Sequence, residues 1–400
     1  MRLTAFLPKN FQIYSVMKKT LLIVVIILAV IIALPVINLI RWSVQSKKPL
    51  DIIIVDKTVP TLEREHHKSF NWILTNKRFV KKESKTSYSY KKDYFGFFPQ
   101  RPLRDHKWDR NDYRLTDLIS LADKNDAIYF ADTYGVFFND WYRGINKSRK
   151  SRKIYGGLNN NDFLLLKEMK DRNKLIIMEY NSFDYPTAQF ESVRTQEKLG
   201  ITFSGWTGKY FSSLDTTIKD FPVWMTAMYR KEYKMPWKFT KPGVVILKEK
   251  DIVVLEEGKQ LKNSLPQIIT DEASSKKYGV VPSVAFDQWF DIIDPLQNNV
   301  ISKFKLDTTP LGDSLLVNNA LQSEFPAVVQ DPVTQRTYYF SGDFATYNVP
   351  YWTARIKGVE KLKGILFSDK TDDTRRFFWL YYRPLINGIF NDYYASLSKK

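Results

Sequence analysis

The 400-residue chain contains no cysteine. That absence excludes thiol nucleophiles, cysteine-ligated zinc and disulfides together. An oxidising compartment is permitted, but there the fold must stand without covalent cross-links. Histidine is nearly as scarce, with only His66, His67 and His106. His66 and His67 are adjacent, so on a helix they point about 100° apart and cannot chelate as an i, i+4 pair would. They read as surface histidines, and no metal site is expected. The sequence also lacks Gly-x-x-x-x-Gly-Lys, Gly-x-Gly-x-x-Gly and Gly-x-Ser-x-Gly. Mononucleotide and dinucleotide phosphate loops and the α/β-hydrolase elbow are therefore missing, and no cofactor is expected. There are no internal repeats and no low-complexity tract.

Only one long hydrophobic run is present, Leu21 to Ile40, interrupted by Pro35 and Asn38. Roughly 20 apolar residues at about 1.5 Å each match a hydrocarbon layer of about 30 Å. Arg2, Lys9, Lys18 and Lys19 precede it without an acid, which favours an N-terminus inside. The run exceeds a usual signal-peptide core and has no small-x-small cleavage site. The expectation is a single-pass membrane protein: 1–19 cytoplasmic, 20–42 an anchor, and the rest an extracytoplasmic ectodomain.

Acids are outnumbered, 43 against 61 Lys and Arg, giving a net charge of +18. A basic ectodomain predicts an anionic neighbour such as lipid headgroups, an acidic polysaccharide or the cell wall, with a membrane protein as the other partner class. Nucleic acid is not expected outside the cytoplasm. Aromatic residues make up 15% of the chain, which suits a well-packed core or sugar-stacking surfaces.

Along the ectodomain, Asp51–Asp56 and Asp126–Asp132 read as short strands buried on both faces, and Lys174–Glu179 as a third. Helices are predicted over 61–78, 115–124, 162–172 and from Pro186-Thr187 to Gly200, with Asn160 or Asn161 capping the third. Residues 79–110 are lysine-rich and read as a strand followed by a long surface loop. This alternation predicts an α/β domain with a parallel, flavodoxin-like sheet over 49–240. A β-containing extension follows over 241–400. Hairpins are predicted at 243–255 and at 325–340. The apolar stretch Arg375 to Phe390 is too short to span a bilayer and reads as a core helix or an interfacial one.

Asp132 closes a strand, Gly156-Gly157 precedes a helix, and Glu179-Tyr180-Asn181 ends the next strand, with Pro186-Thr187 opening another helix. Ser341-Gly342-Asp343-Phe344 follows a tyrosine-rich strand. On these residues, 126–215 resembles the class I glutamine amidotransferase-like fold. It resembles more closely that fold's non-catalytic relatives, the trimerisation domain of some β-galactosidases and ThuA-like proteins. The resemblance implies a nucleophilic cysteine at the turn that here holds Glu179, Tyr180, Asn181 and Ser182, and a histidine downstream of it. Neither is present. Glutaminase chemistry is excluded, and the ancestral active site is expected to be lost or replaced.

In a parallel sheet, ligands bind beyond the carboxyl ends of the strands. Asp56, Asp132 and Glu179 are strand-ending acids, with Lys57 and Asn181 beside them. Asp132 and Glu179 are the candidate acid and base for glycan cleavage. The other readings are that these acids hold a hard cation such as Ca²⁺ or Mg²⁺ through oxygen ligands, or that they cap neighbouring helices or pair with nearby Lys and Arg. Ser182 has no following histidine to activate it. Gly156 and Gly157 form either an anion cradle or a tight turn. Trp206 and Tyr210, in a stretch bent by two glycines, are either sugar-stacking rings or core residues. Arg143, Lys147, Arg149, Lys150, Arg152 and Lys153 make a basic loop suited to an anionic surface. The function expected is a non-catalytic, membrane-anchored module that binds a glycan or a protein in a cell-envelope or polysaccharide-export assembly. The alternative is an envelope glycan hydrolase.

Overall fold

The computed structural model describes residues 9–142, 151–218 and 221–398, with backbone alone for 9–16 and 27–32. Five strands run parallel: β1 (Ile52–Asp56), β2 (Phe95–Pro99), β3 (Ala127–Asp132), β4 (Leu175–Glu179) and β5 (Thr337–Phe340). Their spatial order is β2-β1-β3-β4-β5. The chain therefore reverses its direction of winding between β1 and β3, and a crevice opens there beyond the strand ends.

The sheet is larger than the parallel sheet expected, and it is mixed. Trp108–Asn111 adds antiparallel to β2. On the other side, Glu324–Gln330, Asn299–Thr308, Leu261–Thr270 and Ser283–Ala285 extend it antiparallel from β5, to ten strands. Residues on both sides of position 240 thus share one sheet. The local signal of β1, β3 and β4 is continuous apolarity, and all three are buried throughout. The antiparallel additions alternate instead, as Asn299–Thr308 does, because one of their faces meets water.

Five helices bracket the sheet: α2 (Glu65–Asn76), α3 (Leu118–Lys124), α4 (Asn160–Asp171), α5 (Gln189–Leu199) and α6 (Arg383–Leu397). Phe70, Trp72, Leu385, Ile386 and Phe390 of α2 and α6 join one core; Ala122, Leu165, Met169 and Leu199 of α3, α4 and α5 join the other. Phe70 stacks on Tyr129 at 3.9 Å, and Trp72 meets Phe378 and Trp379 edge-on at 5.4 and 5.2 Å. The stretch Arg375 to Phe390 is this core: Phe377, Trp379, Tyr381 and Tyr382 are all buried, which leaves no apolar face for an interface.

A second, four-stranded antiparallel sheet holds Asp251–Glu256, Gly243–Lys248, Thr202–Phe211 and Trp289–Asp294. Its edge strand leans on the loop after β5: the Asp291 N–H donates to Ser341 O at 2.6 Å and the Asp343 N–H to Trp289 O at 2.9 Å. Residues 79–110 also differ from the loop expected. Phe95–Pro99 and Trp108–Asn111 form a hairpin, and Tyr88, Tyr94 and Phe97 are buried. Lys91 and Lys92 stand just before the short aromatic strand Phe95–Pro99.

The N-terminal helix α1 (Lys9–Ser43) stands apart. Among the described residues no helix is long and apolar enough to cross a membrane; the side chains of 27–32, within the apolar run, lie outside that description. The described Leu21–Ile26 side chains are 46–64% exposed. Six consecutive residues sweep every face of a helix, so apolar surface is bare all round. The carboxyl end of α1 is seated on the domain. Trp42 is buried, donates from Nε1 to Thr75 O at 3.1 Å, and lies under the Arg78 guanidinium at 4.6 Å. Thr75 closes α2, which runs back along β1, so α1 meets the amino edge of the parallel strands.

Candidate functional site

The carboxyl edge collects the strand-ending acids as the sequence predicts, and each is partnered differently. Asp56 is fully buried at the end of β1. Its Oδ2 lies 2.5 Å from His67 Nδ1, and its Oδ1 accepts from the Thr58 N–H at 2.9 Å. His67 Nε2 donates to Tyr90 O at 2.8 Å. The imidazole thus spans two acceptors, and the expected surface histidine is a core residue. The cause is local: buried Asp56 needs a donor, and α2 starts beside it.

Asp132, at the end of β3, lies across the crevice. Its Oδ1 accepts from Thr58 Oγ1 at 2.6 Å and from the Tyr134 N–H at 2.7 Å. Its Oδ2 faces His66 Nδ1 at 3.4 Å, which also sits 3.9 Å from Asp343 Oδ1 and 2.7 Å from Thr346 Oγ1. Burial resists a charge on His66, but Asp132, Asp343 and Asp56 outweigh it and push its pKa up to about 10. Burial also pushes Asp132 up, to about 7; Asp343 and Asp56 add to the rise while His66 and Thr58 oppose it. The His66 side chain keeps 20% exposure. This group therefore touches solvent, whereas Asp56 and His67 do not.

Glu179 is sealed in. Its Oε2 accepts from the Phe344 and Ala345 N–H groups, both at 3.0 Å, and its Oε1 accepts from the Tyr129 hydroxyl. Burial raises its pKa well above the ordinary carboxylate range, against these three donors. It fastens the loop after β5 to β4 and is 1% exposed. The turn that follows is bent by Asn181, a non-glycine residue at φ 68°. Asn populates this left-handed region more readily than most residues. The Asn181 N–H donates to Asp291 Oδ2 at 3.2 Å. Asp291 also accepts from Tyr339 at 2.7 Å and from Thr207 at 3.1 Å, and burial pushes its pKa up to about 7. Ser182 is buried and donates to Glu179 O at 3.0 Å.

The anion cradle is occupied by the protein itself. The Gly157 N–H donates to Thr133 O at 2.7 Å, and Lys57 Nζ donates to Gly157 O at 2.9 Å and pairs with Asp162. The helix cap is Asn159, one residue before the expected Asn160 or Asn161. It accepts from the Asn161 and Asp162 N–H groups while Asp162 answers its own N–H. Gly135 and Gly156 are needed for close approach, since a Cβ on Gly156 would lie 2.3 Å from Tyr134 O. Beside this turn, β2 overhangs the end of β1, and the step holds a cavity of about 260 Å³. Lys57, Asp112, Tyr113, Tyr155, Asn160 and Asn161 line it.

Trp206 is 6% exposed and belongs to the core, behind a bulge at Gly205 (φ 84°); Tyr210 is half-buried. The stacking face proposed for Trp206 is therefore inside the molecule. Of the basic loop, Arg143, Lys147, Arg149 and Lys150 lie outside the described residues. Arg152 stacks over Phe138 at 5.1 Å, and Lys153 donates to Gly156 O at 3.1 Å. Both belong to the carboxyl edge, the end opposite α1. Among the described residues, no group of three or more His, Asp or Glu side chains is placed to hold a metal ion.

Sequence reasoning missed His66, His67, Asp291 and Asp343 as partners in the edge. Asp343 stood in the Ser-Gly-Asp-Phe stretch already singled out. Asp291 had no local signal, because it arrives from the second sheet. No family model, curated protein or solved structure matches the chain.

Proposed function

We propose that the protein is a membrane-tethered, extracytoplasmic and non-catalytic module with a flavodoxin-like, amidotransferase-like sheet. Its role is to bind a glycan or protein partner in an envelope or polysaccharide-export assembly. The observation that carries this reading is the turn after β4. The turn bends through a left-handed residue where the resemblance implies a nucleophile, yet the residue there is Asn181, whose amide is no nucleophile. Asp291, not a histidine, stands against its N–H. Glu179 and Asp56 are committed to internal partners, which makes them supports of the edge. The cavity beside β2 offers amide, carboxylate and aromatic groups to a polar ligand such as one sugar unit. The charge of +18 favours acidic polymers.

One observation favours the hydrolase reading. Asp132, pushed up to about 7 beside part-exposed His66, has the protonation behaviour of a general acid. Full-length protein in detergent, incubated with anionic and neutral envelope polysaccharides, separates the two. Retention that weakens with salt, without product release, supports the binding module. Products that disappear in Asp132→Asn would overturn it and make Asp132 catalytic.

A further inference from the structure

The segment 351–366 lies against the seated end of α1: the Lys357 N–H donates to Asn38 O at 3.2 Å, and the Arg355 guanidinium lies 5.9 Å from the Trp42 ring. It exposes large apolar side chains, Trp352 at 72%, Leu362 at 46% and Ile365 at 75%. Between them stand Arg355, Lys357, Lys361 and Lys363, all exposed, and a single acid, Glu360. Among the described residues, none of these four cations forms an ion pair with a carboxylate. Lys77, at the foot of α2, has its pKa lowered by burial and then by Arg383; Glu360 opposes this, and Lys48 and Lys357 add smaller contributions to the lowering.

Large apolar tips interleaved with lysines are the composition of a surface that lies in the headgroup region of a bilayer. The placement supplies the second argument. The segment adjoins the bare apolar helix at the point where that helix enters the domain, so the surface that would receive α1 also faces 351–366. We propose that 351–366 is a second lipid contact, which inserts Trp352, Leu362 and Ile365 at the interface and sets its lysines on anionic headgroups. This rests on the reading of α1 as an anchor, and it fixes the tilt of the domain on the membrane.

The absence of cysteine makes the test direct. Single cysteines at Leu362, Ile365, Ile37 and Asp184 are spin-labelled in the full chain. The chains are reconstituted in phosphatidylcholine vesicles with and without phosphatidylglycerol, and oxygen against nickel-chelate accessibility is measured. Leu362→Cys and Ile365→Cys are expected to report lipid only with phosphatidylglycerol, Ile37→Cys in both, and Asp184→Cys, at the carboxyl edge, in neither. The Lys357→Gln, Lys361→Gln, Lys363→Gln triple variant is expected to return positions 362 and 365 to water. If positions 362 and 365 stay in water while Ile37 is in lipid, this contact is overturned and the anchor stands. Water at all three positions overturns both. Lipid at 362 and 365 with Ile37 in water supports the contact and removes the anchor.

Discussion

Asp132 and His66 face each other across a crevice that neither leaves, and their protonation ties stability to pH. Asp132 moves from 3.8 to about 7, and His66 from 6.5 to about 10. Both folded values lie above the unfolded ones, so the folded chain keeps protons that the unfolded chain has released. Their contribution is therefore fully present at low pH and is lost as pH rises, through about 7 for Asp132 and about 10 for His66. The urea midpoint of the wild type is expected to fall between pH 7 and 10, and His66→Gln to flatten that fall; an unchanged slope would refute the assignment. Asn181 gives a second residue-scale prediction. Asn181→Val places a β-branched side chain at φ 68° and is expected to cost about 1–2 kcal/mol, whereas Asn181→Gly is expected to be near neutral. Denaturant unfolding of both variants checks it.

At the scale of elements, the edge is held by contacts between segments far apart in the chain. Glu179 joins β4 to the loop after β5 through two backbone N–H groups and Tyr129. Glu179→Ala leaves those donors buried and unpaired and is expected to cost about 2–4 kcal/mol, while Glu179→Gln retains an acceptor and should cost under about 1 kcal/mol. Similar binding by wild type and the Gln variant is the signature of a structural acid; loss of all activity in Gln with intact stability would make it a chemical one. Gly156→Ala tests the turn in the same way. Its Cβ would meet the Gly135 Cα at 2.4 Å at a φ of 130°, so a loss of about 2 kcal/mol or more is expected by denaturant unfolding. Local pattern made β1, β3, β4 and the helices between them readable, because each strand is a short continuous apolar run and each helix a short amphipathic one. It failed over 79–110, where the short strand Phe95–Pro99 stands within a lysine-rich stretch. It failed too for His67, since nothing in the neighbouring sequence says that the partner of Asp56 lies eleven residues on.

At the scale of the molecule, sequence order hides which segments share a sheet. The strand Thr337–Phe340 pairs with Leu175–Glu179 across an insertion that builds its own four-stranded sheet, and only the folded chain shows that Asp291 returns from it to the elbow. The anchor reading is tested at this scale as well. The full chain is expected to resist alkaline carbonate extraction from membranes. A Val24→Lys, Ile26→Lys variant, which puts two charges into the apolar run, is expected to be released; equal retention of both would refute it.

The seat of Trp42 at the amino edge also sets a distance. Strands of about five residues at roughly 3.3 Å each put the opposite rim about 16 Å further from the point where α1 enters. With α1 in a bilayer, the crevice between Asp56 and Asp132 opens away from that bilayer, over the heads of the lipids around it. A substrate or partner still esterified to a neighbouring lipid cannot fold back that far without a long polar spacer. In that orientation the crevice would be reached by polymers or proteins approaching from the side away from the bilayer.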